Sequence, residues 1–244
     1  MDCWGYTKRT LDSIASKKHS LEIVVIDQGS RLKVLQEERR YAGVRGYVLI
    51  ENGRNIGCAA AWNQVIEYGL KRAPYVCVAN NDIVLREDTI DNLIDFWEHK
   101  PYPSIVNVGS TALEGKAGYS PESLKAYASK VPFTYGFSGP FFLFTEETKA
   151  RGGLFDTAYS QGDGVYFEDN DYHWTLLEKG LLSVIVGSSV IFHSGSRTLH
   201  EALDRGKAQR IYDRNRQYFL NKHHTPTPDW STLYEIVNGV VKRR

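Results

Sequence analysis

Long apolar runs are missing from this sequence: no stretch approaches the ~18 residues that cross a bilayer, and the N-terminus lacks a signal-peptide core. A membrane-spanning helix is therefore not expected. The expected location is cytoplasmic, with work at the inner membrane face as an extension of that reading. Cysteine is scarce too. Cys3, Cys58 and Cys77 are odd in number, widely spaced and without a Cys-x-x-Cys pair, which excludes a disulfide frame and a structural zinc site. Charge of one sign is also lacking, with 30 basic against 29 acidic residues and a net charge of +1. No global field argues for nucleic acid, and none is expected as a partner. No G-x-G-x-x-G follows any strand, which disfavours a dinucleotide-binding oxidoreductase. No internal repeat or low-complexity linker interrupts the chain.

What remains is an ordinary globular composition, 42% hydrophobic and 24% charged over 244 residues, enough for one domain with an appendage. Short β-branched runs alternate with helix-period segments, which predicts an α/β fold with a mostly parallel sheet flanked by helices. Strands are expected at Leu21–Ile26, Gly46–Glu51, Tyr75–Ala79, Gly139–Thr145 and Ser183–Phe192. Helices are expected at Tyr6–Ser16, Arg31–Tyr41, Cys58–Leu70 and Asp169–Lys179, and over Arg86–His99, where Ile90, Leu93, Ile94 and Trp97 share one face. Pro101–Ser138 reads as irregular. The C-terminal quarter reads as helical, including Leu233, Ile236, Val237 and Val240, so the chain divides into residues 1–200 and a C-terminal helical extension, 201–244.

Chemistry-bearing residues gather where these strands end. Asp27 follows Ile23–Ile26 and Asp82 follows Tyr75–Ala79, and ligands of open α/β sheets collect beyond the carboxyl ends of strands. Asp27-Gln28-Gly29 and Asn80-Asn81-Asp82 are also ordinary turn chemistry. Glu168-Asp169-Asn170-Asp171 could cap a helix, but three carboxylates in four positions repel one another. Such crowding is common where a base or a cation is needed. His193 ends a strand and precedes the small-residue run around Arg197, which suits a phosphate-contacting loop. Asp82 with His193 makes a sparse cation site of the kind that substrate phosphates complete, suited to Mn2+ or Mg2+.

In their order, these motifs resemble the family 2 glycosyltransferases, particularly the rhamnosyltransferase-like branch. The family's V-V-D-N-x-S is similar to Val25 to Ser30. Its N-x-G segment is similar to Asn55-Ile56-Gly57 with Asn63, and its N-N-D metal motif to Asn80-Asn81-Asp82. The G-G-F-D-E stretch resembles Gly152 to Asp156, and F-E-D-x-D-L resembles Phe167 to Tyr172. The late histidine corresponds to His193, and the Asn-aromatic-Lys tail to Asn215, Phe219 and Lys222. The resemblance spans about residues 6–222.

It implies a GT-A fold, with residues 1–200 as the nucleotide-sugar-binding and catalytic domain. The implied function is inverting, metal-dependent transfer of a hexosyl or deoxyhexosyl group from a nucleoside-diphosphate sugar to a glycan or lipid-linked glycan, in polysaccharide biosynthesis. It assigns Asp27, Asn55, Gly57, Asn63, Asn80, Asn81 and Arg197 to the donor, and Asp82 and His193 to the metal. The base is placed at Asp169, with Glu168 and Asp171 as alternatives. A decayed sugar-nucleotide-binding form is the competing reading, and sugar nucleotidyl transfer a weaker one, since no Gly-rich basic loop follows the first strand. The basic residues of Arg205–Lys222 read either as a solvated helix face or as attraction to an anionic membrane or lipid-linked acceptor. One departure stands out. The family's first strand, V-x-I-V-x-x-Y-N, has no counterpart ahead of Tyr6. The resemblance therefore implies either a gap in the sheet or another segment filling it, with Tyr234–Val241 as the candidate despite its helical spacing.

Overall fold

The computed structural model describes residues 3–115, 120–161, 165–195 and 205–244. Along the chain, α1 (Trp4–Ser13) precedes β1 (Val24–Asp27), α2 (Leu32–Arg45), β2 (Val48–Glu51) and α3 (Cys58–Leu70). There follow β3 (Val76–Ala79), β4 (Ile83–Leu85), α4 (Thr89–Glu98), β5 (Ile105–Glu114), β6 (Phe133–Tyr135), β7 (Phe141–Phe144), α5 (Glu146–Gly152) and α6 (Glu168–Glu178). The rest is β8 (Leu182–His193), α7 (Arg205–Lys222), β9 (Tyr234–Val237) and β10 (Val240–Arg243).

The helix-flanked α/β arrangement is the expected one, but strand directions are mixed. A larger sheet runs in the order β3-β7-β5-β8-β4, with β6 also paired to β8. Within it only β5 and β8 are parallel; the other pairs are antiparallel. β1 and β2 form a separate parallel pair. Among the described residues no strand pairs the second edge of β1 or of β3. Both edges border one cavity of about 1140 Å³. The gap implied by the family resemblance is thus present as a break between two sheets.

Tyr234–Val241 does not fill it, and it is not helical. β9 and β10 are an antiparallel hairpin with Val240 opposite Val237. Asn238 (φ 48°) and Gly239 (φ 76°) make the turn, both left-handed, which is the requirement of a two-residue hairpin turn that follows the strand twist. The Asn-Gly pair was the readable signal, and a chance helical spacing of Leu233, Ile236, Val237 and Val240 masked it. A second correction concerns Pro101–Ser138, which holds β5, a ten-residue central strand, together with β6.

The core lies on the larger sheet. Ile90, Leu93, Ile94 and Trp97 of α4 are all buried against it, as their spacing predicts. On the other face Trp62 of α3 packs with Phe142, Phe144, Phe155 and Tyr172. No helix among the described residues is long and apolar enough to cross a membrane.

Candidate active site

Three strand ends and one helix start converge on the cavity. Asp82 sits between β3 and β4, and His193 closes β8. The ladder places Ile83 opposite His193 on one side and Glu114 opposite His193 on the other. Nε2 of His193 lies 3.3 Å from Oδ1 of Asp82, and Nδ1 lies 2.8 Å from Oε1 of Glu114. Asp82 and His193 are buried. Burial by itself lowers the histidine pKa, but the two carboxylates outweigh it and hold His193 above its ordinary value. The expected Asp82–His193 partnership is therefore realised, with Glu114 behind the ring as a third member. Glu114 was not foreseen, because its segment read as irregular and no spacing ties it to His193.

Glu168 and Asp169 open α6 and line the same cavity. Neither is the N-cap residue, which is Phe167, and its side chain makes no cap bond. Asp169 accepts from the neighbouring Asn170 N–H, at 2.8 Å through Oδ1. Oε2 of the buried Glu168 has no hydrogen-bond partner, an expensive state for a carboxylate. Burial raises the pKa of both acids, and the Asp169 charge pushes Glu168 further, to about 8. The two carboxyls titrate as one coupled pair, in which a charge on Asp169 favours a proton on Glu168. Cys58 stands beside them, its thiol held well above its ordinary value by burial and by the Glu168 charge.

Asp171 belongs elsewhere. It is buried away from the cavity and engaged by Lys222 at 2.8 Å, by His223 Nε2 at 2.9 Å and by the Tyr159 hydroxyl at 2.9 Å. It anchors α6 to α7 and cannot reach a substrate hydroxyl, so the structure removes it from the candidate bases. Lys222 also binds Asp156, at 2.8 Å, so two motifs of the tail and the acid segment meet as structural partners.

The donor-side assignments divide. Asp27, Asn55, Asn80 and Asn81 line the cavity. Asp27 nonetheless spends its carboxylate on a local turn, accepting from the N–H groups of Gly29 and Ser30 at 3.0 Å each. Asn55 likewise accepts from Gly57 N–H at 2.9 Å, and Asn81 donates to Thr7 Oγ1 at 3.1 Å. Gly57 and Asn63 are not cavity residues. Gly57 is left-handed, and a Cβ on it would lie 2.4 Å from Cβ of Ser160. Asn63 ties Phe155 by two bonds of 2.8 and 3.0 Å. Both positions shape the fold, which explains their presence without a ligand. Arg197 lies outside the described residues.

Among the described residues no three His, Cys, Asp or Glu side chains converge as a closed metal site. Asp82 and His193 offer one oxygen and one nitrogen, and Glu114 orients the ring from behind, the arrangement of carboxylate-supported metal histidines. This donor set fits an open divalent site that substrate oxygens complete.

Residues 2–150 match the family described as Glycosyl transferase family 2. Among solved structures, mannosyltransferase PcManGT from Pyrobaculum calidifontis, in complex with GDP-Man and Mn2+, is 21% identical with a TM-score of 0.58, over 91% of this chain and 60% of its own. GalNAc-T7 with UDP, GalNAc and Mn2+ is 15% identical with a TM-score of 0.60, over 93% of this chain and 53% of its own. TarS of S. aureus is 14% identical with a TM-score of 0.53, over 93% and 43%. At these identities the likeness is one of fold, and this chain spans between 43% and 60% of the length of those proteins. No curated protein matches the sequence.

Proposed function

We propose that this chain, which belongs to glycosyl transferase family 2, moves a sugar from a nucleoside-diphosphate sugar to a hydroxyl acceptor with inversion. The observation that carries the reading is the meeting of Asp82 with His193 on the same cavity as the Glu168–Asp169 pair. Asp82 and His193 would hold Mn2+ or Mg2+. Such an ion neutralises the charge that develops on a departing diphosphate.

The rest of the chemistry falls to the chain. Asp169, which lines the cavity at the start of α6, takes the proton of the acceptor hydroxyl. That oxygen bonds to the anomeric carbon, the bond from that carbon to the diphosphate oxygen breaks, and the nucleoside diphosphate leaves with the electron pair. One base and no covalent nucleophile make this a single displacement. The buried walls supply positioning and a dry cleft. The proposed donor is a hexosyl or deoxyhexosyl nucleotide, and the proposed acceptor a glycan or lipid-linked glycan.

Two variants test the two halves of the site. Asp82→Ala abolishes Mn2+-dependent binding of UDP or GDP in titration calorimetry; affinity that ignores both chelator and mutation removes the metal role. General-base catalysis contributes ~10²–10⁴-fold, so Asp169→Asn lowers donor turnover by about that factor while nucleotide binding persists. If Glu168→Gln shows that loss instead, the base is Glu168. If neither slows transfer, the pair has no catalytic role.

A further inference from the structure

The acid pair is reached through an unusual backbone. Tyr166 (φ 78°) and Phe167 (φ 71°) are consecutive non-glycine residues in the left-handed region, which side chains of this size rarely enter. The fold holds them there. Nδ2 of the buried Asn215 on α7 donates to the carbonyl oxygens of Tyr159, Val165 and Tyr166, at 3.2, 3.0 and 3.1 Å.

Phe167 has a packing reason for its place: its buried ring lies 5.2 Å from that of Tyr212 and 5.6 Å from that of Phe219. Tyr166 has less of one. It is half-buried, lines the cavity next to Glu168, and meets Tyr212 edge-to-face at 5.6 Å and 79°. Tyr212 also lines the cavity and is 39% exposed. A glycine would take the backbone of position 166 without strain, yet the residue here is a large aromatic turned to the rim of the cavity. Strain held in place beside reactive groups points to function.

We propose that Tyr166 and Tyr212 form an aromatic platform that receives the pyranose ring of the acceptor, with a hydroxyl turned toward Glu168 and Asp169. The proposal rests on the glycosyl-transfer reading and adds the acceptor subsite to it. A pyranose has an apolar C–H face and a rim of hydroxyl donors. The aromatic rings suit the first and the two adjacent carboxylates suit the second. An acyl chain would leave those carboxylates desolvated and unpaired, and a nucleobase would bring no hydroxyl to them.

The test uses methyl glucopyranoside, mannopyranoside and galactopyranoside as probes, with Mg2+ and UDP or GDP present, read by saturation-transfer NMR. The parent protein should bind at least one of them through its C–H face. Tyr166→Ala and Tyr212→Ala should each weaken that binding about tenfold, the scale of one aromatic contact, while Tyr166→Phe stays within about twofold. Nucleotide affinity and hydrolysis of the donor by water should be unchanged in all three. Tyr166→Gly should lose the pyranoside as well, since it removes the ring altogether. Absence of pyranoside binding by the parent overturns the proposal, as do alanine variants that leave it intact or that weaken the nucleotide instead. Pyranoside binding retained in Tyr166→Gly does so too. Failure of the underlying reading looks different: the parent would then bind no nucleotide and hydrolyse no donor.

Discussion

The two sheets of this molecule are built to different standards. In the larger one the middle of the sheet is sealed: Val108, Leu143, Val184 and Val186 are fully buried, with helices on both faces. In the smaller one Val24, Val25 and Ile26 are only half-buried although β-branched throughout, and one edge of β1 carries no ladder. The proposed metal ligands, and the α6 start that carries the acid pair, rest against the larger sheet. The proposed nucleotide side, with Asp27 and Asn55, borders the smaller. Geometry that must hold to a fraction of an ångström sits where packing is dense, and the residues facing a larger, more forgiving ligand sit where it is loose.

Truncation measures this contrast most directly. Leu143→Ala empties a sealed position and should cost about 2–5 kcal/mol, the range for buried leucines. Ile26→Ala removes a side chain already partly in water and should cost about 1 kcal/mol, since only the area removed from water counts. Urea denaturation of both variants checks it. Equal losses would mean that β1 is sealed in solution, and the contrast between the sheets would disappear. Amide exchange sharpens the same point. In the parallel pair Ile23 and Asp27 accept from β2 through Val48 and Asn52 N–H, so by alternation the N–H groups of Val24 and Ile26 face the cavity. These should exchange rapidly while amides of β5 and β8 stay protected.

How legible this was follows from the reach of each signal. Asp82 and His193 could be read because an apolar run that stops at a polar residue is a local pattern. β5 could not, because it carries Asn107 and Ser110 inside the core. Their partners, the Leu143 carbonyl at 2.9 Å and the Ser189 hydroxyl at 2.6 Å, are 36 and 79 residues away. Buried polar groups whose partners lie at long range look like loop residues in a linear reading. The same blindness hid Glu114, and it left Asp171 among the candidate bases, since Lys222 and His223 lie 51 and 52 residues further on. Asp27 shows the converse, a motif read for ligand binding whose carboxylate is occupied by its own turn.

A pH-dependent effect tests whether the dense half is also the acid-sensitive half. His173 on α6 is buried against β8, with Nδ1 on the Ser183 hydroxyl at 2.7 Å, Nε2 without a partner, and Trp230 edge-on to its ring. Burial lowers its pKa from 6.5 to about 4. The unfolded chain therefore binds more protons than the folded one between those values. Stability from this residue is complete above pH 6.5 and is lost as pH falls toward 4, by about 3 kcal/mol in total. His223 has the opposite linkage. The carboxylates of Asp171 and Glu178 overcome burial and raise its pKa, so its contribution is complete below pH 6.5 and does not vary across the acid window. His173→Gln should then flatten the fall in stability between pH 6.5 and 4.5, measured by urea denaturation, while lowering stability at pH 7.5 by less than Leu143→Ala does. An unchanged slope in the variant would assign the acid sensitivity to carboxylates elsewhere and detach it from the α6–β8 contact.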